Sequence, residues 1–325
     1  MKSSLDSQKG FALLTVLTIV ALIAMVASQL LYEQHTGIKR SSHMLHQAQS
    51  FSVNWGIEAW VKEGLELDRK SNQTDHLNEL WAKPLGPIPY EGGTLSGQLF
   101  DLQARINLNN MTETDVAQRQ IWQAILQRYS QQHDLPLGFV DLVTDWVDTD
   151  DQASPLGAES NQYLLKEPAY SAANQPLVML SELTMLQGLE ALKTTQWQAV
   201  EENLTTLPEV VKINVNSASH AVLMALAVWI TDDIAEKWLK VRDNKPAEIT
   251  DDFRNFLVAE TGFNPSDVLT DLPNWLISAK SEYFLLKSQV SFGDSDEAIS
   301  AIFSRKTNKD VQLVQRWLSV TETLE

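Results

Sequence analysis

Apolar residues fill the start of the chain and then continue in a helical pattern. The 22 residues from Phe11 to Tyr32 carry no charge and no proline, and a helix of that length crosses the roughly 30 Å hydrocarbon layer of a bilayer. The run is longer than the core of a cleavable secretory signal. Apolar residues then recur at helical spacing, and no proline occurs before Pro84. The pattern predicts one helix that extends to about residue 68.

Shorter segments further along have the pattern of strands. We predict a glycine-rich turn and a strand in YEGGTLSGQLFDLQARINL, and three strands in EYFLLKSQVSF, AISAIFSRK and VQLVQRWLSV. The long stretch between them has mostly helical signals. This favours an α+β fold in which a long N-terminal helix packs on an antiparallel sheet and a large, mainly α-helical domain is inserted. The expected division is a leader 1–10, a transmembrane segment 11–32, the rest of the long helix with the first strand 33–105, the inserted helical domain 106–280 and the C-terminal strands 281–325.

The charges of the chain suggest its orientation and its partners. Lys2 and Lys9 precede the apolar run, so the positive-inside rule leaves most of the chain across the membrane, which in a bacterium is the periplasm. The net charge is −17. Such an acidic chain disfavours nucleic acid and anionic lipid, and favours cations or partners with basic surfaces.

A weak internal repeat lies in the helical stretch. INLNNMTETD at 106–115 is echoed by INVNSASHAV at 213–222, and the asparagines are expected to cap the helices that follow. The second copy continues into LMALAVWITDDIAEKWLKVRD, which resembles a helix-hairpin-helix unit. Its hairpin AVWITDD has no glycine and two acids that would repel phosphate, so we interpret it as a packing scaffold and not as a DNA-binding unit.

The stretch DLVTDWVDTDDQASPLGAESNQYL at 141–164 is the chemically richest part of the chain. Pro155 and Gly157 predict a turn that brings the two ends of this acidic stretch together. Its oxygen ligands on a loop suit calcium, and a solvated acidic loop is the alternative. The candidate ligands are Asp145, Asp148, Asp150, Asp151 and Glu159. The six histidines form no metal-ligand motif, and we found no catalytic or nucleotide-binding fingerprint, so the sequence predicts no enzyme.

The junction QKGFALLT resembles the type III signal of type IV pilins and type II secretion pseudopilins. In that family a prepilin peptidase cuts after the glycine and methylates the new N-terminus. The resemblance implies cleavage between Gly10 and Phe11, with N-methylation of Phe11. The fifth residue after the cut is Thr15, where most pilins have glutamate, and this departure resembles the K-type minor subunit. An ordinary signal anchor is the alternative for this stretch.

The resemblance becomes closer in the middle of the chain. DWVDTDDQASPLGAESNQYL, YSAANQPLVMLSEL and INVNSA resemble the K-type minor pseudopilin family of type II secretion systems. This implies a pilin-like fold, calcium bound by the carboxylates named above, and a pseudopilus tip complex with I-type and J-type minor pseudopilins. It also implies contact with the inner-membrane assembly platform, with the head in the periplasm. A minor subunit of a type IV pilus and a membrane-anchored calcium-binding receptor are the alternatives.

Overall fold

The computed structural model describes residues 5–293, 295–307 and 309–319, with the backbone alone for residues 5–10. Residues 1–4 of the predicted leader and residues 320–325 of the predicted C-terminal strands lie outside the described residues. The helices are α1 Leu5–Ser71, α2 Val116–Gln132, α3 Phe139–Val147, α4 Ser160–Tyr163, α5 Thr194–Asn203, α6 His220–Leu226, α7 Asp232–Asn244, α8 Thr250–Thr261 and α9 Pro265–Asp271. The strands are β1 Leu85–Tyr90, β2 Gly93–Asp101, β3 Ile106–Asn107, β4 Leu204–Thr205, β5 Ile213–Asn214, β6 Ile277–Ser278, β7 Tyr283–Phe292, β8 Ser295–Ser304 and β9 Gln312–Ser319.

Helix α1 is continuous from the apolar segment to Ser71, which confirms the prediction of one long helix. An 18-residue window of it has a mean hydropathy of 2.6, enough to cross a membrane by length and composition, and none of that window is buried by the rest of the molecule. Further along, Ile57 and Leu65 are buried against Phe284 and Phe303 of the sheet. One helix therefore provides both an uncovered apolar segment and a core element.

The long strands form one antiparallel sheet in the order β1-β2-β7-β8-β9. Strands β2 and β7 are paired along their whole length, from Gly93 opposite Phe292 to Asp101 opposite Phe284, although residues 102–282 lie between them in the chain. We call α1 with this sheet the frame, and residues 102–282 the inserted region. The α+β fold that the sequence predicts, with a helical insertion in an antiparallel sheet, is confirmed.

Strand β1 was not predicted from the sequence. Its residues LGPIPY include Pro87 and Pro89, and its pairing with β2 contains a shift in register. Proline cannot donate a ladder hydrogen bond and is found on edge strands or at bulges. The two prolines give this segment the local signature of a turn. In the structure it forms the outer strand at one edge of the sheet.

The inserted region has a large core of its own. Trp122 and Tyr129 of α2, Phe139 and Trp146 of α3, and Phe253 of α8 are almost completely buried in it. Two short parallel pairings, β3 with β4 and β5 with β6, each join the start of one half of the region to the end of that half. The region is mainly helical, in agreement with the periodicity of its sequence.

The Ile-Asn motifs of the repeat form the short strands β3 and β5. Asn107 caps only the 3-10 turn Leu108–Thr112, whereas Asp115 caps α2 and Ser219 caps α6. The expected capping is therefore found at Asn107, on the 3-10 turn that follows it, whereas α2 and α6 are capped by other residues. The side chain of Asn107 also accepts the backbone N–H of Leu207 at 2.8 Å, so it fixes a loop that is remote in sequence.

Helices α6 and α7 form the predicted hairpin unit. Arg242 of α7 is 7% exposed and donates to the carbonyl oxygens of Val215 and Ala218. At the other end of α7, Asp232 and Asp233 occupy the first turn and are exposed. Acids at a helix N-terminus stabilise it but oppose the binding of phosphate, so the geometry is that of a packing unit.

Two buried polar groups join the inserted region to the frame. Arg305, which follows β8 and is 1% exposed, forms ion pairs with Asp68 of α1 and with the buried Asp75. It also donates to the carbonyl oxygen of Ser281 at 3.0 Å. The junction is thus built on one arginine between two carboxylates.

The second group is the carboxylate of Asp101, at the end of β2. Its Oδ2 accepts from Asn214 Nδ2 at 3.0 Å and from Ser281 Oγ at 2.6 Å, and also from the hydroxyl of Ser217. Burial raises the pKa of Asp101 from its ordinary value. These donors come from the inserted region, so they fix its attachment to the frame.

Candidate metal centre

Helix α3 and the loop that follows it bring acidic side chains together. The loop leaves α3 at Asp148, the C-cap, and returns to α4 at its N-cap, Glu159. The carboxylates of α3 hold the loop in place, because Asp145 Oδ2 accepts the N–H of Ser154 at 2.9 Å. Asp141 Oδ2, one turn earlier, accepts a second loop N–H at 3.0 Å. The carboxylates of α3 therefore fix the path of the loop.

Three carboxylates meet at the centre of this arrangement. Asp148, Asp150 and Glu159 each have an oxygen within 4.8 Å of the others. Glu159 is 1% exposed, Asp148 is half-buried, and Asp150 is exposed. The group is thus buried on the side of Glu159 and open to solvent on the side of Asp150.

Several oxygens of the centre have no hydrogen-bond donor. Among the described residues, no donor reaches Asp145 Oδ1, Asp148 Oδ1 or either carboxylate oxygen of Glu159, although these atoms are buried. Buried carboxylates without partners are costly, because their charge is neither solvated nor neutralised. A cation bound by oxygen ligands removes that cost, and hard oxygen ligands on a loop suit calcium.

The electrostatics of the centre favour the binding of a positive charge. Burial, with added repulsion from Asp145 and Asp148, raises the pKa of Glu159 to about 7. Burial, with repulsion from Asp150 and Asp145, raises the pKa of Asp148 to about 6. Burial is also the main cause of the raised pKa of Asp145. The carboxylates therefore hold protons more tightly when no cation is present.

Raising the pH is expected to destabilise the metal-free protein. The ordinary pKa of Glu159 is 4.5 and its folded value is about 7, so the stabilisation from its bound proton is complete below about pH 4.5 and is lost as the pH rises to about 7. Calcium requires the ionised form, so its affinity should rise over the same range. Thermal unfolding of dialysed, metal-free protein with and without added calcium, at pH 5 and pH 7.5, tests this. An equal calcium-induced shift in Tm at both pH values would contradict it.

Aromatic side chains of α3 and α4 pack together near the acidic residues. Trp146 of α3 lies edge-on to Tyr163 of α4, with ring centroids 5.2 Å apart. Tyr163 stacks on Tyr170 at 5.3 Å. Burial raises the pKa of Tyr163 to about 12, and the charges of Asp145 and Glu159 contribute to the shift, so the aromatic group lies close to the acidic one.

The five predicted ligands occupy different positions. Asp148, Asp150 and Glu159 form the close group, and Asp145 lies beside it with one unpartnered oxygen. Asp151 is exposed and lies outside the close group of three. Sequence reasoning did not assign a role to Asp141, although its position four residues before Asp145 on the same helix face was a usable signal.

The residues predicted to take part in processing all lie on α1. Gly10 is part of its backbone, and Phe11 is 72% exposed. The hydroxyl of Thr15 donates to the carbonyl oxygen of Ala12 at 2.9 Å. Its polar group is therefore satisfied within the helix and needs no partner in an apolar environment.

A second acidic group near the end of α1 has a different character. Asp68, Asp75 and Glu79 also have oxygens within 4.8 Å of one another. Here Arg305 donates to both aspartates, and the indole N–H of Trp81 donates to Glu79. Because protein donors already serve these oxygens, this group is an ion-pair network and not a candidate metal centre.

Family comparisons agree with the fold and its middle region. Residues 104–209 and residues 213–271 match two family models, both described as type II secretion system (T2SS), protein K. The type II secretion system protein K of Pseudomonas aeruginosa is 30% identical over 327 residues, covering 95% of this chain and 92% of the relative. A putative type II secretion system protein K of Escherichia coli K12 is 26% identical and covers 97% of this chain and 99% of the relative.

A solved structure has the same architecture. It is the crystal structure of the GspK-GspI-GspJ complex from the enterotoxigenic Escherichia coli type 2 secretion system. One chain of it matches with a TM-score of 0.74 and 22% identity, covering 87% of this chain and 100% of that chain. The likeness establishes a shared fold over most of the molecule.

Proposed function

The chain belongs to the type II secretion system protein K family, and from this premise we propose that it is a non-enzymatic minor pseudopilin of the pseudopilus tip. In this role it assembles with I-type and J-type minor pseudopilins and initiates the fibre that drives protein secretion across the outer membrane. Helix α1 lies in the inner membrane, in contact with the assembly platform, and the head lies in the periplasm.

The form of α1 carries this proposal. Its apolar segment has no burial within the molecule, so lipid or neighbouring helices must cover it. The other end of the same helix is fixed in the frame by Ile57 and Leu65. A helix that is anchored in a head at one end and apolar on all sides at the other is suited to lateral packing with similar helices in a membrane.

Two further features support a position at the end of the fibre. The inserted region adds a large body to the frame, which would crowd subunits stacked above and below it. Thr15 has no charge with which to pair the N-terminus of a neighbouring subunit, and its hydroxyl is already bonded within α1. A tip subunit needs neither a narrow head nor an ion pair with the N-terminus of a subunit above it. The GspK-GspI-GspJ complex of the related system supports the choice of partners.

Calcium fits the candidate metal centre. Asp148, Asp150 and Glu159 would hold it, with the unpartnered oxygen of Asp145 beside them. A bound divalent cation would supply the positive charge that the buried carboxylates lack. We infer a structural role, because the loop joins α3 to α4 within the core of the inserted region.

The head should form a calcium-dependent complex with its partners. We expect the protein from about residue 34 onward to co-purify with I-type and J-type heads in calcium, and the complex to weaken when a chelator is added. Size-exclusion chromatography with light scattering gives the stoichiometry. A head that stays monomeric in both conditions would contradict tip assembly and favour a calcium-binding receptor or a type IV pilus subunit.

Replacing Gly10 with a bulky residue should block maturation. The prepilin peptidase proposed for this chain cuts after a small residue, so Gly10→Leu should leave an uncut precursor. Mass spectrometry of the membrane fraction would detect both the retained leader and the absence of a methylated Phe11. Phe11→Leu is the matched control, since it keeps the glycine and should be cut. Normal processing of Gly10→Leu would contradict the proposal.

A further inference from the structure

The inserted region consists of two halves that repeat the same plan. Each half starts with an Ile-Asn-apolar-Asn motif, at residues 106–109 and 213–216, and a short parallel strand pairing joins its two ends. A second motif lies further along each half, where NQPLVMLSEL at 174–183 is echoed by NKPAEITDDF at 244–253. The two motifs occur in the same order, so the halves can be compared position by position.

The last asparagine of the first motif makes the same contact in both halves. Asn109 Nδ2 donates to the carbonyl oxygen of Leu177 at 2.9 Å, and its Oδ1 accepts the N–H of Leu177 at 2.8 Å. Asn216 makes the same two bonds to Ala247, also at 2.9 and 2.8 Å. We call each pair of bonds a clasp. Leu177 and Ala247 occupy the same place in the second motif, so the two clasps are equivalent.

An acid fixes the turn after each clasp in the same way. Glu182 Oε1 accepts the N–H groups of residues 178 and 179, at 2.7 and 3.0 Å. Asp252 Oδ2 accepts those of residues 248 and 249, at 2.9 and 3.1 Å. Sequence and bonds thus repeat together, which indicates that the two halves are copies of one structural unit.

The two units differ in the connection that precedes the clasp. In the second unit α7 continues without interruption from Trp238 to Asn244, and the second motif follows at once. In the first unit α3 ends one residue after Trp146, and the chain reaches Asn174 only after residues 148–173, which we call the acidic loop. The acidic loop is therefore an addition to the first unit and not part of the common plan.

The two ends of the acidic loop meet at α3. The N–H of Asn174 donates to the carbonyl oxygen of Trp146 at 3.0 Å. In an α-helix that carbonyl would accept from the fourth residue along the chain, so Asn174 takes the place that residue 150 would have in a longer α3. The clasp between Asn109 and Leu177 follows three residues later. The unit is thus closed by bonds in which the acidic loop takes no part.

The acidic loop is held by packing, and its charges oppose that packing. Tyr163 is fully buried and lies edge-on to Trp146. Against this contact stand buried carboxylate oxygens that no donor reaches among the described residues, namely both of Glu159 and one each of Asp145 and Asp148. Buried charges without partners are strongly unfavourable, and a bound cation neutralises them. The cation therefore decides how firmly the loop is docked.

We propose that calcium controls the order of the acidic loop and leaves the fold of the unit unchanged. With calcium bound, the loop is docked on α3. Without it, the loop opens between Asp148 and Asn174, while the Trp146–Asn174 bond and the clasp at Leu177 keep the unit closed. The inference rests on the proposed calcium centre, and it goes further because it confines the effect of calcium to one segment of the head.

Hydrogen exchange of the full chain in detergent tests this, with calorimetry of calcium binding on the same sample. The reporters are the amides of residues 162–166, which are bonded within the loop. Calcium at about 100 times its Kd should slow their exchange by up to about 100-fold. Exchange in α2 and α5 of the same unit should change by less than about twofold. Residues 244–247 of the second unit are the internal control and should not respond.

The outcomes separate this inference from the calcium centre itself. If exchange in α2 and α5 slows as much as in the loop, the loop belongs to the cooperative core of the unit and the inference is overturned. Heat of calcium binding without slower exchange in the loop would overturn the inference but leave the calcium centre standing. An absence of binding heat would refute both.

A deletion tests whether the unit needs the acidic loop. Removing residues 150–173 makes Asn174 the fourth residue after Trp146, so the bond between them becomes an ordinary helical one. The variant should fold with a lower Tm, because Trp146 loses its contact with Tyr163, and calcium should no longer shift that Tm. A persistent calcium-induced shift would overturn the proposal. If the variant does not fold, the exchange measurement on the wild type decides.

Discussion

Replacing Arg305 with methionine is expected to lower the free energy of unfolding by about 3–5 kcal/mol. The arginine is 1% exposed and pairs with both Asp68 and Asp75. Methionine fills much of the volume but leaves the carboxylate of Asp75, itself 1% exposed, without its cation. The substitution also removes the guanidinium from above the Phe284 ring, where its central carbon lies 4.6 Å from the centroid. Urea unfolding of the protein from residue 34 onward measures the loss.

A surface lysine provides the matched control for this result. Lys237 also contacts two acids, Asp233 and Glu260, but it is 45% exposed, so Lys237→Met should change stability little. Adding Asp75→Asn to Arg305→Met should recover part of the loss, because it removes the uncompensated buried charge. A loss below about 1 kcal/mol, or a double variant no more stable than the single one, would contradict this account of the junction.

Gly157→Ala is expected to weaken calcium binding about 10- to 100-fold. A Cβ built at Gly157 would lie 1.9 Å from Oδ2 of Asp145 and 3.1 Å from the carbonyl oxygen of Asp141. The Asp145 carboxylate would have to move, and it would then lose the Ser154 N–H that holds the loop. The path that brings Glu159 to Asp148 would be altered. Calorimetric titration of the metal-free protein with calcium measures the effect.

A glycine that meets no neighbour provides the control. Gly56 lies inside α1, and a Cβ there has no other atom within 4 Å. Gly56→Ala should leave calcium affinity unchanged and increase helix stability by up to about 1 kcal/mol. An unchanged calcium Kd for Gly157→Ala would contradict the prediction. Calcium binding would then not depend on the close approach between Gly157 and the Asp145 carboxylate.

Periodicity predicted the parts of the fold that depend on long, regular patterns. The helix to about residue 68 and the strands of the sheet follow from the repeat of apolar positions. β1 was missed because Pro87 and Pro89 have the local signature of a turn. The segment becomes an edge strand only through its pairing with β2. The long-range bond of a repeat asparagine was missed for a related reason. Asn107 bonds to Leu207, and a contact across a hundred residues leaves no local signal.

The candidate metal centre was predictable in composition but not in arrangement. The sequence identified the acidic stretch and the turn at Pro155 and Gly157. Which carboxylates meet depends on the bonds from the α3 acids to the loop, which bring Glu159 close to Asp148 and leave Asp151 outside. Those bonds depend on the folded path of the backbone, and the order of residues alone does not specify it.

The adjacency of β2 and β7 also imposes an order on folding. β2 obtains its central neighbour only after the whole inserted region has emerged during synthesis, because residues 102–282 separate the two strands. Such a distant pairing is slow to form. Until then the sheet-facing side of α1, with Ile57 and Leu65, has no cover. The inserted region, with its own core, can become compact first and shorten the distance that the two strands must close. The frame, whose α1, β1 and β2 come first in the chain, is therefore the last part of the molecule to be completed.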